Sequence, residues 1–207
     1  MIHAGEHSII FGMTGSGKST LTRKISTLFL RKIIFDRLRE WSGEGIEVDS
    51  YDSFKKVFRE LHLSDSFCIV FQPGYGGDSD SLVEETNQIL ALIFQVESHT
   101  QKGIALIFEE LWLYAPLHNI PAWFQETMLT GRHHNISVIG NSQRPADVSK
   151  TFVSQARHCF VGQFYEYRDR KYFEDTFGRI PELANPPKKF TFYWFRPAEK
   201  PLLISTM

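Results

Sequence analysis

Eight consecutive residues constrain this chain more than any other stretch: Gly12-Met13-Thr14-Gly15-Ser16-Gly17-Lys18-Ser19. They match G-x-x-x-x-G-K-[ST], and they sit between an apolar run, Ser8 to Phe11, and a helical one, Ser19 to Leu30. From average residue usage, a chance match in a chain this long is on the order of one in a hundred. Glycines at these places let backbone N–H groups turn inward around an anion. The helix behind them points the positive end of its dipole at the same spot. The spacing therefore predicts a triphosphate cradle over Gly12 to Thr20. In it, Lys18 reaches the β- and γ-phosphates, Ser19 gives its hydroxyl to Mg²⁺, and Thr20 lies just behind.

The remainder repeats one alternation. Apolar runs at Lys32 to Phe35, Phe67 to Phe71, Ile104 to Phe108, Ile136 to Gly140 and Cys159 to Val161 read as strands. Segments with helical spacing separate them: Asp52 to Leu61, Ser81 to Glu97, Pro121 to Gly131, Ala146 to Gln155 and Tyr167 to Phe177. Continuous apolar strands alternating with helices predict an α/β fold with a mainly parallel sheet, helices covering both faces. Phe190 to Phe195 and Leu202 to Ile204 predict a closing hairpin, turned at Pro197 to Pro201. That hairpin, about residues 188–207, is too short to fold alone. The expectation is one domain over residues 1–207, with Asn185-Pro186-Pro187 setting the hairpin apart.

Composition excludes several classes. The chain has 207 residues, 42% hydrophobic and 23% charged, with a formal net charge of -1. Bulk charge does not mark a nucleic-acid binder, so any such surface is local or built by assembly. Cys68 and Cys159 sit in apolar runs and read as buried free thiols, which fits a reducing compartment. No apolar stretch approaches the roughly 20 residues of a membrane span. The first seven residues lack a signal pattern.

A second acidic element follows the fourth apolar run, which ends in Glu109-Glu110. A carboxylate at a strand tip beside a phosphate loop can hold Mg²⁺ through water, and the next can orient and deprotonate the attacking water. This assigns Glu109 to the metal and Glu110 to the general base. Two solvated acids at a strand end are the bland alternative.

Three stretches point to a family. The core Thr14-Gly15-Ser16-Gly17-Lys18-Ser19 resembles the phosphate loop of the FtsK–HerA superfamily of DNA-pumping ATPases. Ile34-Phe35-Asp36-Arg37-Leu38-Arg39-Glu40-Trp41 resembles that superfamily's strand ending in Asp, followed by a Glu-aromatic pair. Gly131-Arg132, the apolar strand and Ser142-Gln143-Arg144-Pro145 resemble its Gly-Arg, strand, Ser/Thr-Gln-Arg-Pro signature. Order and spacing agree over residues 8–160. Glu109 departs from the commoner Asp. The resemblance implies that Gln143 senses the γ-phosphate and that Arg132 is an arginine finger acting on a neighbour's site, worth roughly 10³–10⁵ in rate. Arg157 is a weaker candidate for the finger, and Arg144 is structural. An exposed helix-end role for Arg132 and a turn-capping role for Gln143 are the plain alternatives.

Length narrows the expectation further. The phosphate loop begins at Gly12 and little follows the core, so the chain is similar to the stripped genome-packaging ATPases of membrane-containing double-stranded DNA viruses. That likeness implies Mg-ATP as cofactor, double-stranded DNA as partner, and a homo-oligomeric ring, hexameric or pentameric. It also implies a capsid portal or membrane-associated virion proteins as further partners, in the virion or host cytoplasm. Gly74 to Asp78 is a candidate pore loop, with an ordinary connecting loop as an equal alternative, and Lys188 to Arg196 mixes bases with aromatics as single-strand binders do, although an edge hairpin packed on the core explains it better. His133-His134 reads as a polar helix end rather than a metal site. A small nucleoside or nucleotide kinase is the rival reading, with Arg168, Arg170 and Lys171 as a basic lid. A non-catalytic nucleotide-gated assembly factor is a third.

Overall fold

The computed structural model describes residues 1–74, 79–164, 167–178 and 187–206. Within them the elements run β1 (Ser8–Phe11), α1 (Lys18–Ser26), β2 (Arg31–Phe35), β3 (Ile46–Val48), α2 (Tyr51–Leu61) and β4 (Phe67–Phe71). There follow α3 (Ser79–Thr100), β5 (Ile104–Phe108), α4 (Ala122–Thr130), β6 (Ile136–Ser142), α5 (Lys150–Gln155) and β7 (His158–Val161). The chain closes with α6 (Tyr167–Phe177), β8 (Thr191–Phe195) and β9 (Leu202–Ser205). The strands form one sheet in the order β3-β4-β2-β5-β6-β1-β7-β8-β9. The pairings from β3 to β7 are parallel, and β8 and β9 add an antiparallel hairpin to the β7 edge.

Burial explains why the strands read as unbroken apolar runs. Every residue of β1 and β5 is buried, as a sheet covered on both sides requires. Alternate residues serve different cores. Ile104, Leu106 and Phe108 of β5 belong to one apolar cluster with Phe54 and Phe58 of α2, Ile89 of α3, Phe124 of α4, Phe152 of α5 and Phe173 of α6. Ala105 and Ile107 face the other way, toward Leu21 and Ile25 of α1. Among the described residues, five helices thus back one face and α1 alone covers the other. The thicker side is aromatic: Phe35 stacks on Phe108 with ring centroids 4.3 Å apart, and Tyr114 meets both edge-on.

Three expectations need adjusting. The helix after the phosphate loop stops at Ser26, four residues before Leu30, and the Ser26 and Thr27 hydroxyls donate to backbone carbonyls three residues back. Ala146 to Gln155 is not one helix. A single 3₁₀ turn, Pro145–Asp147, is followed by a fresh start at Lys150, where the Ser149 side chain accepts from the Thr151 N–H. The short edge strand β3 carries no periodic signal. Gly45 leads into it, and a Cβ there would lie 2.5 Å from the Cys68 carbonyl oxygen. Cys159 is buried and Cys68 half-buried, both as free thiols. The candidate pore loop, apart from Gly74, and Asn185-Pro186 lie outside the described residues.

Candidate nucleotide site

Strand β1 lies between β6 and β7, and β6 separates it from β5. The loop after β1, the tip of β5 and the tip of β6 therefore meet on one rim, where ligands of open α/β sheets sit. The loop is held from both sides: the Gly12 N–H donates to the Ser142 carbonyl at 3.3 Å and the Met13 N–H to the Gln163 carbonyl at 2.8 Å. Gly17 takes φ 101°, in the left-handed region, and starts α1 with no side-chain cap. The free N–H groups of that first helical turn thus point at the cleft, available to an anion. Gly12 is needed for closeness, because a Cβ there would lie 2.5 Å from the Ser16 hydroxyl.

The loop, β5 and β6 converge on a cleft of about 240 Å³ lined by Thr14, Lys18, Ser19, Glu109, Glu110 and Gln143, among others. Thr20, Gly15 and Gly17 also border it. Lys18 is buried, its ammonium 3.4 Å from the Met13 carbonyl oxygen and 3.9 Å from Glu110 Oε1. Burial pulls its pKa down, against the carboxylates of Glu110, Glu109 and Glu40. Glu109 continues the α1-facing side of β5. Its Oε1 accepts the Ser19 hydroxyl at 2.7 Å and its Oε2 the Trp41 indole N–H at 3.0 Å. Burial pushes the Glu109 carboxyl above the ordinary range.

Glu110 would point to the opposite face if the strand continued. Instead it takes φ 57° and ψ 71°. This break in the alternation brings both carboxylates to one cleft. Glu110 Oε2 accepts the Trp112 indole N–H at 3.2 Å and the Gln143 backbone N–H at 3.3 Å. The Glu110 N–H donates to Asn141 Oδ1 at 3.0 Å. A non-glycine residue held in that region signals local strain of the kind found at active sites. Gln143 closes the circuit: its Oε1 accepts the Thr14 hydroxyl at 2.7 Å.

Several contributors carried no assigned role in the sequence reading. Asp36, fully buried at the end of β2, accepts the backbone N–H groups of Glu40 and Trp41 at 3.0 and 2.8 Å. It folds the following turn into an arch over α1. The arch presents Glu40, whose Oε2 lies 2.9 Å from the Ser19 hydroxyl. Two carboxylates, Glu40 and Glu109, thus crowd one hydroxyl that has a single proton to give. This all-oxygen corner fits a hard divalent cation such as Mg²⁺ beside a bound nucleotide. Asn141 ties Glu110 to α1 through Thr22, at 3.2 Å. Its signal was an amide directly after the apolar run Ile136 to Gly140.

The two finger candidates lie elsewhere. Arg132 precedes β6 and Arg157 precedes β7, so both sit on the opposite rim, roughly 20 Å away along the sheet. Arg132 is exposed, and Arg157 pairs with Glu6 at 2.9 Å. Both line a depression of about 470 Å³, larger than the phosphate cleft, so size does not single out the chemistry. Arg168, Arg170 and Lys171 do not line the phosphate cleft, and Arg170 pairs with Glu174 of its own helix. No group of three metal-ligating side chains occurs among the described residues, His133 and His134 included.

Solved structures with this architecture exist. The genome packaging NTPase B204 of Sulfolobus turreted icosahedral virus 2, in complex with ATPγS, superposes with a TM-score of 0.75, covering 98% of each chain at 15% identity. The chain has a P-loop NTPase fold. VirB4 of Thermoanaerobacter pseudethanolicus shares that P-loop NTPase fold with a TM-score of 0.71, covering 96% of this chain and 88% of VirB4 at 12% identity. In sequence, the chain is similar to protein P9 of Pseudoalteromonas phage PM2, 24% identical over 210 residues, which span 97% of this chain and 90% of P9. No protein-family model matches the chain. The P-loop NTPase fold is common to the packaging NTPase and VirB4, so fold alone does not separate their activities.

Proposed function

We propose that the chain is an Mg-ATP-hydrolysing motor that packages a viral double-stranded DNA genome, working as a ring. One observation carries the hydrolytic part: Glu109 holds the Ser19 hydroxyl while Glu110, turned by its left-handed backbone, faces Lys18 across the same cleft. The end-to-end likeness to a genome packaging NTPase supports the packaging part.

The residues divide the work as follows. Backbone N–H groups of Gly15 and of Gly17 to Thr20 cradle the phosphates, and Lys18 leaves the Met13 carbonyl to meet the β- and γ-phosphates. Ser19 and Glu109 are the residues that would hold Mg²⁺, which neutralises charge on the β- and γ-oxygens when bound. Glu110 keeps Oε2 on the Trp112 and Gln143 N–H groups. Its Oε1, released as Lys18 swings to phosphate, accepts a proton from the attacking water. Gln143 exchanges its Thr14 bond for one to the γ-phosphate side and so reports whether that group is present. Arg132 acts on a neighbouring copy, since its rim faces away from its own cleft. A planar guanidinium suits that task better than an ammonium.

The decisive measurement is ATP turnover with and without double-stranded DNA, alongside the mass of the assembly. DNA-stimulated hydrolysis by an oligomer is expected. Phosphate transfer to a nucleoside or nucleotide would replace the motor reading with a kinase. ATP binding without any turnover would leave an assembly switch.

A further inference from the structure

The mechanism above leaves Lys188 to Arg196, with its mixture of bases and aromatics, without a task. Strand β8 runs antiparallel to β7, so its beginning lies on the rim where the parallel strands end. That rim carries the phosphate loop. Phe190, just before β8, donates its N–H to the Ser16 carbonyl at 2.9 Å. Its ring presses so closely on Gly17 that a Cβ there would lie 2.6 Å from the ring. Lys189 and Phe190 both line the same cleft as Lys18, with the Phe190 ring against Gly17. The Lys189 ammonium stands 5.0 Å from the Phe190 ring centroid.

The position is held with care. Phe190 takes φ 63°, a region a phenylalanine avoids. Its carbonyl accepts the Thr206 N–H at 2.9 Å and the Thr206 hydroxyl at 3.2 Å, and the Thr206 carbonyl in turn accepts Lys24 Nζ at 3.2 Å. The hairpin's last residues, α1 and the phosphate loop thus fix one half-buried aromatic beside a phosphate cradle. Strain of this kind persists where surroundings over-determine it, and it collects at ligand sites.

We propose that Phe190 is the nucleoside platform of the cleft, the aromatic face on which the base of a bound nucleotide stacks, with Lys189 as a second cation for its phosphates. This rests on the nucleotide-binding reading and adds to it the wall contributed by the C-terminal hairpin. Stacking on an aromatic ring tolerates any base, because every base has a π-face. The platform therefore gives affinity for the nucleoside part as such.

Calorimetry on the full chain, comparing Mg-ATP with Mg-tripolyphosphate, tests it. Tripolyphosphate has the charge and no base. Phe190→Ala is expected to weaken ATP roughly 5- to 100-fold and leave tripolyphosphate within about twofold of wild type. Phe190→Leu keeps bulk over Gly17 without a π-face and shifts the same way, whereas Phe190→Trp retains ATP. Lys189→Ala weakens both ligands alike. The platform fails if Phe190→Leu binds ATP as wild type does. It fails equally if that variant loses both ligands in parallel, since the ring then only props the loop. A wild-type chain that binds neither ligand would instead remove the ATPase reading beneath it.

Discussion

Glu109 is 2% exposed and Lys18 6%, two ionisable side chains kept almost out of water. Burial raises the Glu109 carboxyl above its ordinary 4.5, and nearby Glu40 pushes the same way. The folded chain then holds a proton that the unfolded chain has released. The stability this group lends is fully present below about pH 4.5 and is lost as pH rises through the raised value. Glu109→Gln removes that loss: its amide oxygen can accept the Trp41 N–H and its NH₂ can donate to the Ser19 hydroxyl, whose own proton goes to Glu40. In nucleotide-free, magnesium-free buffer the variant should melt above wild type at pH 7.5, with the gap closing as the pH falls toward 4.5. A variant that melts lower at pH 7.5 would mean that the carboxylate is stabilising as it stands. Glu110→Gln should behave differently. It should bind ATP with wild-type affinity and lose about 10²–10⁴ in turnover, read by phosphate release. Retained turnover would move the base elsewhere.

The elements that bring these side chains together are tied by few but well-buried links. Arg31 at the start of β2 pairs with Glu97 near the end of α3 at 2.6 Å, and also donates to the His62 and Gly103 carbonyls. Removing one partner leaves a buried charge behind. Glu97→Ala should cost about 3–5 kcal/mol in urea unfolding, while Arg31→Met with Glu97→Leu should recover much of it. Strands were legible because complete burial forces unbroken apolar runs, and the phosphate loop because its chemistry tolerates little variation. The helix ends and β3 were not. Ser149 as a cap, the early stop at Ser26 and a three-residue edge strand depend on local hydrogen bonds that hydropathy does not register. The site was half legible for a similar reason. Lys18, Ser19, Glu109, Glu110 and Gln143 follow a chain pattern. Glu40 and Phe190 reach the cleft through turns whose direction no periodicity encodes, and the Asp36–Trp41 stretch, though a readable motif, does not itself say that its turn folds back over α1.

At the level of the whole molecule, the phosphate cleft and Arg132 occupy opposite rims of one sheet. If Arg132 serves a neighbouring copy as proposed, Arg132→Ala subunits mixed with wild type should depress the rate more steeply than dilution, each altered copy silencing a neighbour's intact cleft. A strictly proportional decline, measured across a titration of the two, would reduce Arg132 to a surface residue. The two faces of the sheet also differ in a way that matters for motion. Among the described residues, interlocking rings and five helices pack on one side, while α1, carrying Lys18 and Ser19, is the one helix on the other, beside the Asp36 arch and the hairpin. A displacement that starts at the bound phosphates meets little resistance on that thin side and much on the thick one. On the proposed motor reading, a shift of α1 is the one that would carry a phosphate-driven change outward, with the sheet as its anvil.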